Sequence, residues 1–333
     1  MSILYVDLRS LVKFNHKNRT PFLIGLVVGF TICNFVYFPT YFPTTYLGER
    51  RPRPPSYATM YNIIADPAKP LEPFNNTDPL SGYVNVLKDK APFKRHCSVC
   101  ALVSTSGHVL NYMAGEEIDQ AECVIRMNHA PVDGFEKHVG TRTTVRVATH
   151  KNFEEAWRQI THIISTENLS NVFVWGPDRT MRTDGKGKTY NYLLSLAKAS
   201  TDVEFYMLTP ERMRYSHQLF DNETGLPRRP ESDIYLSTGW FTMVLATEMC
   251  DQIKVYGMSN GDNCRDPNAY PAAYHYFHHF LDFQGRRKEC DEYNRMENMK
   301  TGAHRFFAEK KVFGRWSKYH NITFHFPTWT PEE

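Results

Sequence analysis

Apolar and polar positions along most of this chain fall into short blocks, and block length sets the elements. Val99 to Val103 is an apolar run long enough for a buried strand and too short for a helix. Ser104-Thr-Ser-Gly107 ends it with small residues suited to a tight turn. Val124 to Met127 reads as a second strand, ending at Asn128. Thr144 to Ala148, Thr161 to Ser165, Val172 to Trp175, Val203 to Leu208, Ile253 to Tyr256 and Ile322 to Phe326 read as further strands. Between them lie helical stretches. Asn191 to Ala199 is one. Gly239 to Cys250 is another, with Trp240, Val244 and Phe241, Leu245, Met249 on adjoining faces. In Phe306 to Tyr319, the residues Ala308, Val312, Trp316 and Tyr319 make one apolar stripe, the mark of a helix packed on a sheet. Strands alternating with helices predict an α/β fold: a twisted, mostly parallel sheet with helices on both faces. Ligands bind such sheets beyond the carboxyl ends of the strands. Ser104 to Gly107, Asn128 and Trp175-Gly-Pro all follow strands, so they converge on one rim.

The first eighty residues follow a different pattern. No charged residue occurs from Thr20 to Gly48, and Phe22 to Phe42 can span a bilayer, with Tyr37, Tyr41 and Phe42 at its aromatic edge. A cleaved signal peptide fits less well, because no small-x-small cleavage site follows. Arg50 to about Leu80 is rich in proline and polar residues and lacks periodicity. The expected organisation is a cytoplasmic tail (1–20), a transmembrane signal anchor (21–43), a stem (44–80) and a lumenal domain (81–333). Flanking basic residues occur on both sides of the span and leave its orientation open.

Cysteines decide the orientation. Six of the seven, Cys97, Cys100, Cys123, Cys250, Cys264 and Cys290, follow the span, an even number that fits an oxidising compartment. Cys97-x2-Cys100 has no second such pair to complete a zinc site. Asn75, Asn168, Asn222 and Asn321 head N-x-S/T sequons on the same side. Together these predict a single-pass type II membrane glycoprotein. The net charge of +3 does not suggest nucleic acid, and aromatics at 14% suit stacking on sugars or bases as well as core packing.

Four segments carry a resemblance. His96 to Val147 resembles the long sialyl motif of eukaryotic sialyltransferases. Leu236-Ser-Thr-Gly-Trp-Phe-Thr-Met through Cys250-Asp to Val255-Tyr-Gly-Met resembles the short motif. Tyr274-His-Tyr-Phe resembles the third, and His304-Arg-Phe-Phe-Ala-Glu309 the very short motif, His-x4-Glu. They stand in the family's order and cover roughly Gly82 to Trp329. Arg126-Met-Asn, Trp175-Gly-Pro, Asp184-Gly-Lys-Gly and Ser237-Thr-Gly-Trp-Phe-Thr are similar to the alpha-N-acetylgalactosaminide alpha-2,6-sialyltransferases, in the branch acting on sialylated Gal-GalNAc ends. The resemblance implies a Rossmann-like variant of the nucleotide-sugar transferase fold, Golgi membranes, and inverting transfer from CMP-sialic acid. It also implies a Cys100–Cys250 disulfide; the pairing of the other four cysteines stays open.

Such a transfer must hold the donor phosphate, take a proton from the acceptor hydroxyl and align the two. For the donor the resemblance implies Ser104, Thr105, Ser106, Asn128, Ser237, Thr238, Gly239 and Tyr276. Ser237-Thr-Gly precedes an apolar helix, where amides and hydroxyls can reach a ligand. Ser104-Thr-Ser-Gly departs from the Gly-Asn-Ser-Gly of many relatives, so an Asn contact is lost or is replaced by Thr105. His275 is implied at the donor phosphate, although His278 stands where the branch commonly has Glu. His304 sits at a helix start, whose positive end favours a neutral ring able to accept a proton; with the motif, it is the expected general base. Glu309 orients the loop or the acceptor. Trp240, Phe241 and the Asp178 to Tyr190 loop are acceptor candidates by position.

No Asp-x-Asp occurs in the chain, so a divalent-ion clamp has no candidate, and neither a metal nor another cofactor is expected. No G-x-G-x-x-G follows a strand, which argues against a nucleotide-dependent oxidoreductase. A catalytically silent lumenal glycan-binding relative is the remaining alternative. The expected partners are CMP-sialic acid and a sialylated glycolipid or O-glycan, between which the sequence does not choose.

Overall fold

Strand β2 (Cys97–Val103) lies inside a sheet whose spatial order is β1-β6-β5-β4-β3-β2-β7-β8. The other strands are β1 (Tyr83–Asn85), β3 (Cys123–Met127), β4 (Thr143–Thr149), β5 (Leu169–Trp175), β6 (Glu204–Leu208), β7 (Cys250–Tyr256) and β8 (Asn321–His325). All neighbours are parallel except β1, which caps the β6 edge antiparallel, Tyr83 opposite Leu208. The chain runs outward from β2 through β6, then crosses back to place β7 on the other side of β2. This reversal between β2 and β7 is the switch point at which doubly wound sheets bind ligands. The computed structural model describes residues 72–155, 157–225, 235–277, 288–299 and 304–330. The expected tail, span and all but the last nine residues of the stem lie outside them, as do His278 and His279. Among the described residues no helix is long and apolar enough to cross a membrane.

Side chains alternate between the two faces of each strand. On β5, Phe173 and Trp175 join one core, while Val172 and Val174 join the other. The longer described helices are α1 (Trp157–Thr166), α2 (Lys188–Ala199), α3 (Pro210–Thr224), α4 (Thr238–Met249), α5 (Glu289–Asn298) and α6 (Phe306–Trp316). Helix α4 is apolar on nearly every side because it is enclosed on nearly every side. It lies across β2, β3, β4 and β7, and α6 and α3 cover it. Trp240 is fully buried, donates its indole N–H to the Ser216 carbonyl at 3.0 Å, and packs against Phe220, Phe313 and Trp316. Phe241 is buried and stacks on Trp175 at 4.2 Å. Trp240 and Phe241, two of the acceptor candidates, are therefore core residues: helical spacing does not distinguish a face turned to a site from one turned to a neighbouring helix.

Two sequence expectations are corrected here. Thr161 to Ser165 is helical, part of α1; Ile160 and Ile163 are buried while Thr161 and His162 are exposed, a three-residue spacing masked by a β-branched run. Helix α6 ends at Trp316, and Tyr319 is 82% exposed, outside the stripe.

Three disulfides bind the described domain: Cys97–Cys123, Cys100–Cys250 and Cys264–Cys290. The expected Cys100–Cys250 bridge is present and ties β2 to the start of β7.

Candidate active site

The carboxyl ends of β2, β3, β4, β5 and β7 open into a cavity of about 200 Å3. Ser104 and Thr105 enter it after β2, Asn128 after β3, Thr149 at the end of β4 with His150 and Lys151 just beyond, Trp175 at the end of β5 and Met258 after β7. Asn128 holds a left-handed backbone, φ +51°, which Asn tolerates better than most residues. Its carbonyl accepts from the Arg146 guanidinium at 2.9 Å, and its side-chain oxygen accepts from the Thr149 amide at 3.2 Å. Arg146, 1% exposed, reaches from β4, with Glu167 as its counter-ion at 2.5 Å. A buried ion pair under the strand ends thus fixes how Asn128 meets the cavity.

From the other side come Ser237, Thr238 and Gly239, the start of α4. The Ser237 hydroxyl caps the helix by accepting from the Trp240 amide at 3.1 Å. Glu309, on the first turn of α6, accepts from the Ser237 amide at 2.8 Å and also from its hydroxyl. Burial raises the Glu309 carboxyl to about 7, and the hydrogen bonds from Ser237 oppose that rise. The Thr238 hydroxyl lies 3.4 Å from the Asn128 side-chain oxygen, which brings the long-motif and short-motif segments together.

His275 arrives on a loop that docks against the turn after β2. Gly107 donates to the Ala273 carbonyl at 2.8 Å, and Tyr276 to the Thr105 carbonyl at 2.9 Å. Gly107 is required at this approach, since a Cβ there would stand 2.8 Å from the Ala273 nitrogen. His275 Nδ1 lies 2.9 Å from the Thr105 hydroxyl, and its ring packs on Tyr274 at 4.2 Å. The residue that departs from the familiar Asn is thus a partner of this histidine.

His304 lines the same cavity, two residues before α6. Its Nδ1 is 2.9 Å from the Tyr235 carbonyl oxygen, which can only accept, so Nδ1 carries the proton and Nε2 of the neutral ring is left basic. Burial lowers its pKa, Lys151 and Arg305 add to the lowering, and the Tyr235 contact works against it. A neutral ring with a bare Nε2 in a cavity can remove a proton from a hydroxyl.

Ser104, Thr105, Asn128, Ser237, Thr238, Gly239, His275, His304 and Glu309 therefore meet in one cavity. Ser106 and Tyr276 do not line it. Ser106 is 1% exposed and caps the short helix at Gly107–Asn111 through the His108 amide. Tyr276 is 1% exposed, donates to the Pro131 carbonyl at 2.5 Å and packs on Phe135. The Asp178 to Tyr190 segment contributes Asp178 and Met181 to Asp184 to a second cavity, beyond β5 and β6. The first cavity also holds Tyr274 of the third motif and residues not expected from the sequence: His150 and Lys151, Tyr235, Tyr293 and Lys310. His150 and Lys151 directly follow Thr144 to Ala148 and Thr149, so the end-of-strand rule was sufficient to find them. For Tyr293 and Lys310, no sequence signal existed.

The family model for glycosyltransferase family 29 (sialyltransferase) matches residues 63–319. The chain belongs to this family, and is a sialyltransferase. It is 39% identical over 280 residues to alpha-N-acetylgalactosaminide alpha-2,6-sialyltransferase 3 of Rattus norvegicus, covering 83% of this chain and 89% of that one. It is 42% identical over 252 residues to the alpha-N-acetyl-neuraminyl-2,3-beta-galactosyl-1,3-N-acetyl-galactosaminide alpha-2,6-sialyltransferase of Homo sapiens, covering 76% and 82%. A crystal structure of a mammalian sialyltransferase is similar at 19% identity and a TM-score of 0.43, over 83% of this chain and 85% of that one.

Proposed function

We propose that this sialyltransferase moves sialic acid from CMP-sialic acid, with inversion, in alpha-2,6 linkage to the GalNAc of a sialyl-alpha-2,3-Gal-beta-1,3-GalNAc end on a glycolipid or O-glycan. The observation that carries the reading is His304, held by the Tyr235 carbonyl with Nε2 unprotonated in a cavity lined by residues of all four sialyl motifs. His304 takes the acceptor proton as the new bond forms. Ser104, Thr105, Asn128 and the Ser237-Thr238-Gly239 helix start hold the nucleotide. His275 supports the phosphate as CMP leaves and negative charge grows on it. A single displacement needs one base and no protein nucleophile. CMP has one phosphate, which amides, hydroxyls and histidine can hold, so the reaction is read as metal-independent and cofactor-free. The acceptor assignment rests on the names of the relatives.

The deciding experiment incubates a secreted form starting near Leu80 with CMP-sialic acid and with sialylated ganglioside or sialylated O-glycan acceptors, with and without EDTA. Linkage analysis of the product should show a new alpha-2,6 bond to GalNAc, unaffected by EDTA. No product with either acceptor would favour a silent glycan-binding relative.

The same proposal places the enzyme in Golgi membranes as a type II protein with the described domain lumenal. The uncharged Thr20 to Gly48 stretch, three disulfides and the exposed sequon residues Asn168 and Asn321 support it. Asn18-Arg-Thr20 is also a sequon and should stay unmodified on a cytoplasmic tail. Glycan mapped to Asn18 would reverse the orientation.

A further inference from the structure

Lys310 is 5% exposed and lines the cavity, yet it has no part in the proposed transfer. Its ammonium sits over the Tyr293 ring, 3.9 Å from the centroid, and 5.1 Å from that of Phe306. No carboxylate among the described residues comes within ion-pair distance of it. The three buried glutamates nearby are engaged elsewhere. Glu309 takes both hydrogen bonds from Ser237, Glu297 accepts from the Phe307 amide at 3.2 Å, and Glu289 accepts from Ser259 and Tyr293 and meets His108. Burial lowers the Lys310 pKa, and those glutamates at longer range oppose the lowering.

A buried cation in contact with ring faces, with carboxylates only at longer range, is a poor stability device, because its desolvation is only partly repaid. It is a good recognition device if a substrate brings the missing charge into the same cavity. The rings under the ammonium lead back to the chemistry. Tyr274 meets both Tyr293 and Phe306 edge-on and packs on His275, and Phe306 lies 5.2 Å from the His304 ring. Lys310 is therefore one layer of side chains from both proposed functional histidines.

We propose that Lys310 supplies the buried positive charge that recognises an anionic group of the sugar-nucleotide donor, its phosphate or its carboxylate. The proposal rests on the sialyltransferase site described above and adds a donor-recognition residue to it.

The test compares wild type, K310M and K310R in the secreted form. Calorimetry measures binding of cytidine, CMP and CMP-sialic acid, and thermal denaturation measures stability. K310M should remain folded, since Lys310 makes no ion pair among the described residues and Met fills a similar volume. Its affinity for the recognised anion should fall about ten- to hundred-fold, the size of a lost hydrogen bond to a charged group. K310R should retain part of it, and cytidine binding should be unchanged throughout. Loss on CMP assigns the charge to the phosphate; loss confined to CMP-sialic acid assigns it to the carboxylate. If K310M bound both like wild type, or lost stability and cytidine binding together, the proposal would be overturned. Wild-type turnover is read separately, so an inactive wild type refutes the enzymatic reading while leaving the binding comparison intact.

Discussion

His304 Nδ1 lies 2.9 Å from the main-chain oxygen of Tyr235, and that contact selects the tautomer whose other nitrogen is free to act. His304→Ala should lower turnover about a hundred- to ten-thousand-fold, the usual span for a lost general base. CMP affinity should change little. His275→Ala should instead weaken CMP binding or raise the barrier by about 3 to 4 kcal/mol, as for one lost oxyanion donor. Because burial lowers the His304 pKa, the ring stays neutral as pH falls past the ordinary 6.5, and the acid limb of the rate profile should lie below that value. Parallel loss of rate and CMP binding in His304→Ala would make it a structural residue.

Arg146 and Asn128 form a second testable pair. Arg146→Met removes the donor that holds the left-handed Asn128 and leaves Glu167 buried without its cation. Breaking one side of such a pair typically costs about 3 to 5 kcal/mol of stability. The single variant should also weaken CMP binding; a double variant Arg146→Met with Glu167→Gln should recover part of the stability while CMP binding stays weak, since the Asn128 carbonyl still lacks its guanidinium donor. Full recovery of CMP affinity in the double variant would show that Arg146 does not position Asn128.

Glu297 predicts a pH effect on stability. Burial raises its carboxyl from the ordinary 4.5 to about 7. The folded state therefore keeps a proton that the unfolded state has released, so its contribution is greatest below 4.5 and is lost as pH rises toward 7. Glu297→Gln should match wild type near pH 4 and exceed it above pH 7 by up to about 3 kcal/mol. Glu309 acts with the same sign and His304 with the opposite one, so the readout is the difference between variant and wild-type denaturation curves at each pH. A difference that did not change with pH would show that Glu297 titrates normally.

The Cys100–Cys250 bridge closes 150 residues and Cys264–Cys290 closes 26. In the chain-entropy model these are worth about 5 and about 3.5 kcal/mol respectively. Replacing each pair with serine and measuring chemical denaturation should rank them in that order. The reverse order would mean that local packing, and not loop closure, sets their value.

The alternation of short apolar runs with helical stretches determined the parallel sheet, because β-branched runs of four to seven residues can be buried on both faces only between helices. The end-of-strand rule and the sialyl motifs were enough to place Ser104, Asn128, Ser237, His275 and His304 at one rim. Local pattern could not decide which side of an element would be enclosed. Trp240 and Phe241 sit on a helix that packs in every direction, and Tyr276 points into the layer behind the site. Helical spacing fixes the relative directions of side chains but not what stands opposite them. The same limit hid the partners that tune the chemistry. Tyr235 with His304, Glu309 with Ser237 and Arg146 with Asn128 are separated by 69, 72 and 18 residues. Only the folding of the sheet and the docking of α6 on α4 bring them within hydrogen-bond distance. Lys310 is the clearest case: in sequence it is one more charge on a helix, and burial over two aromatic rings is what makes it a candidate for recognition.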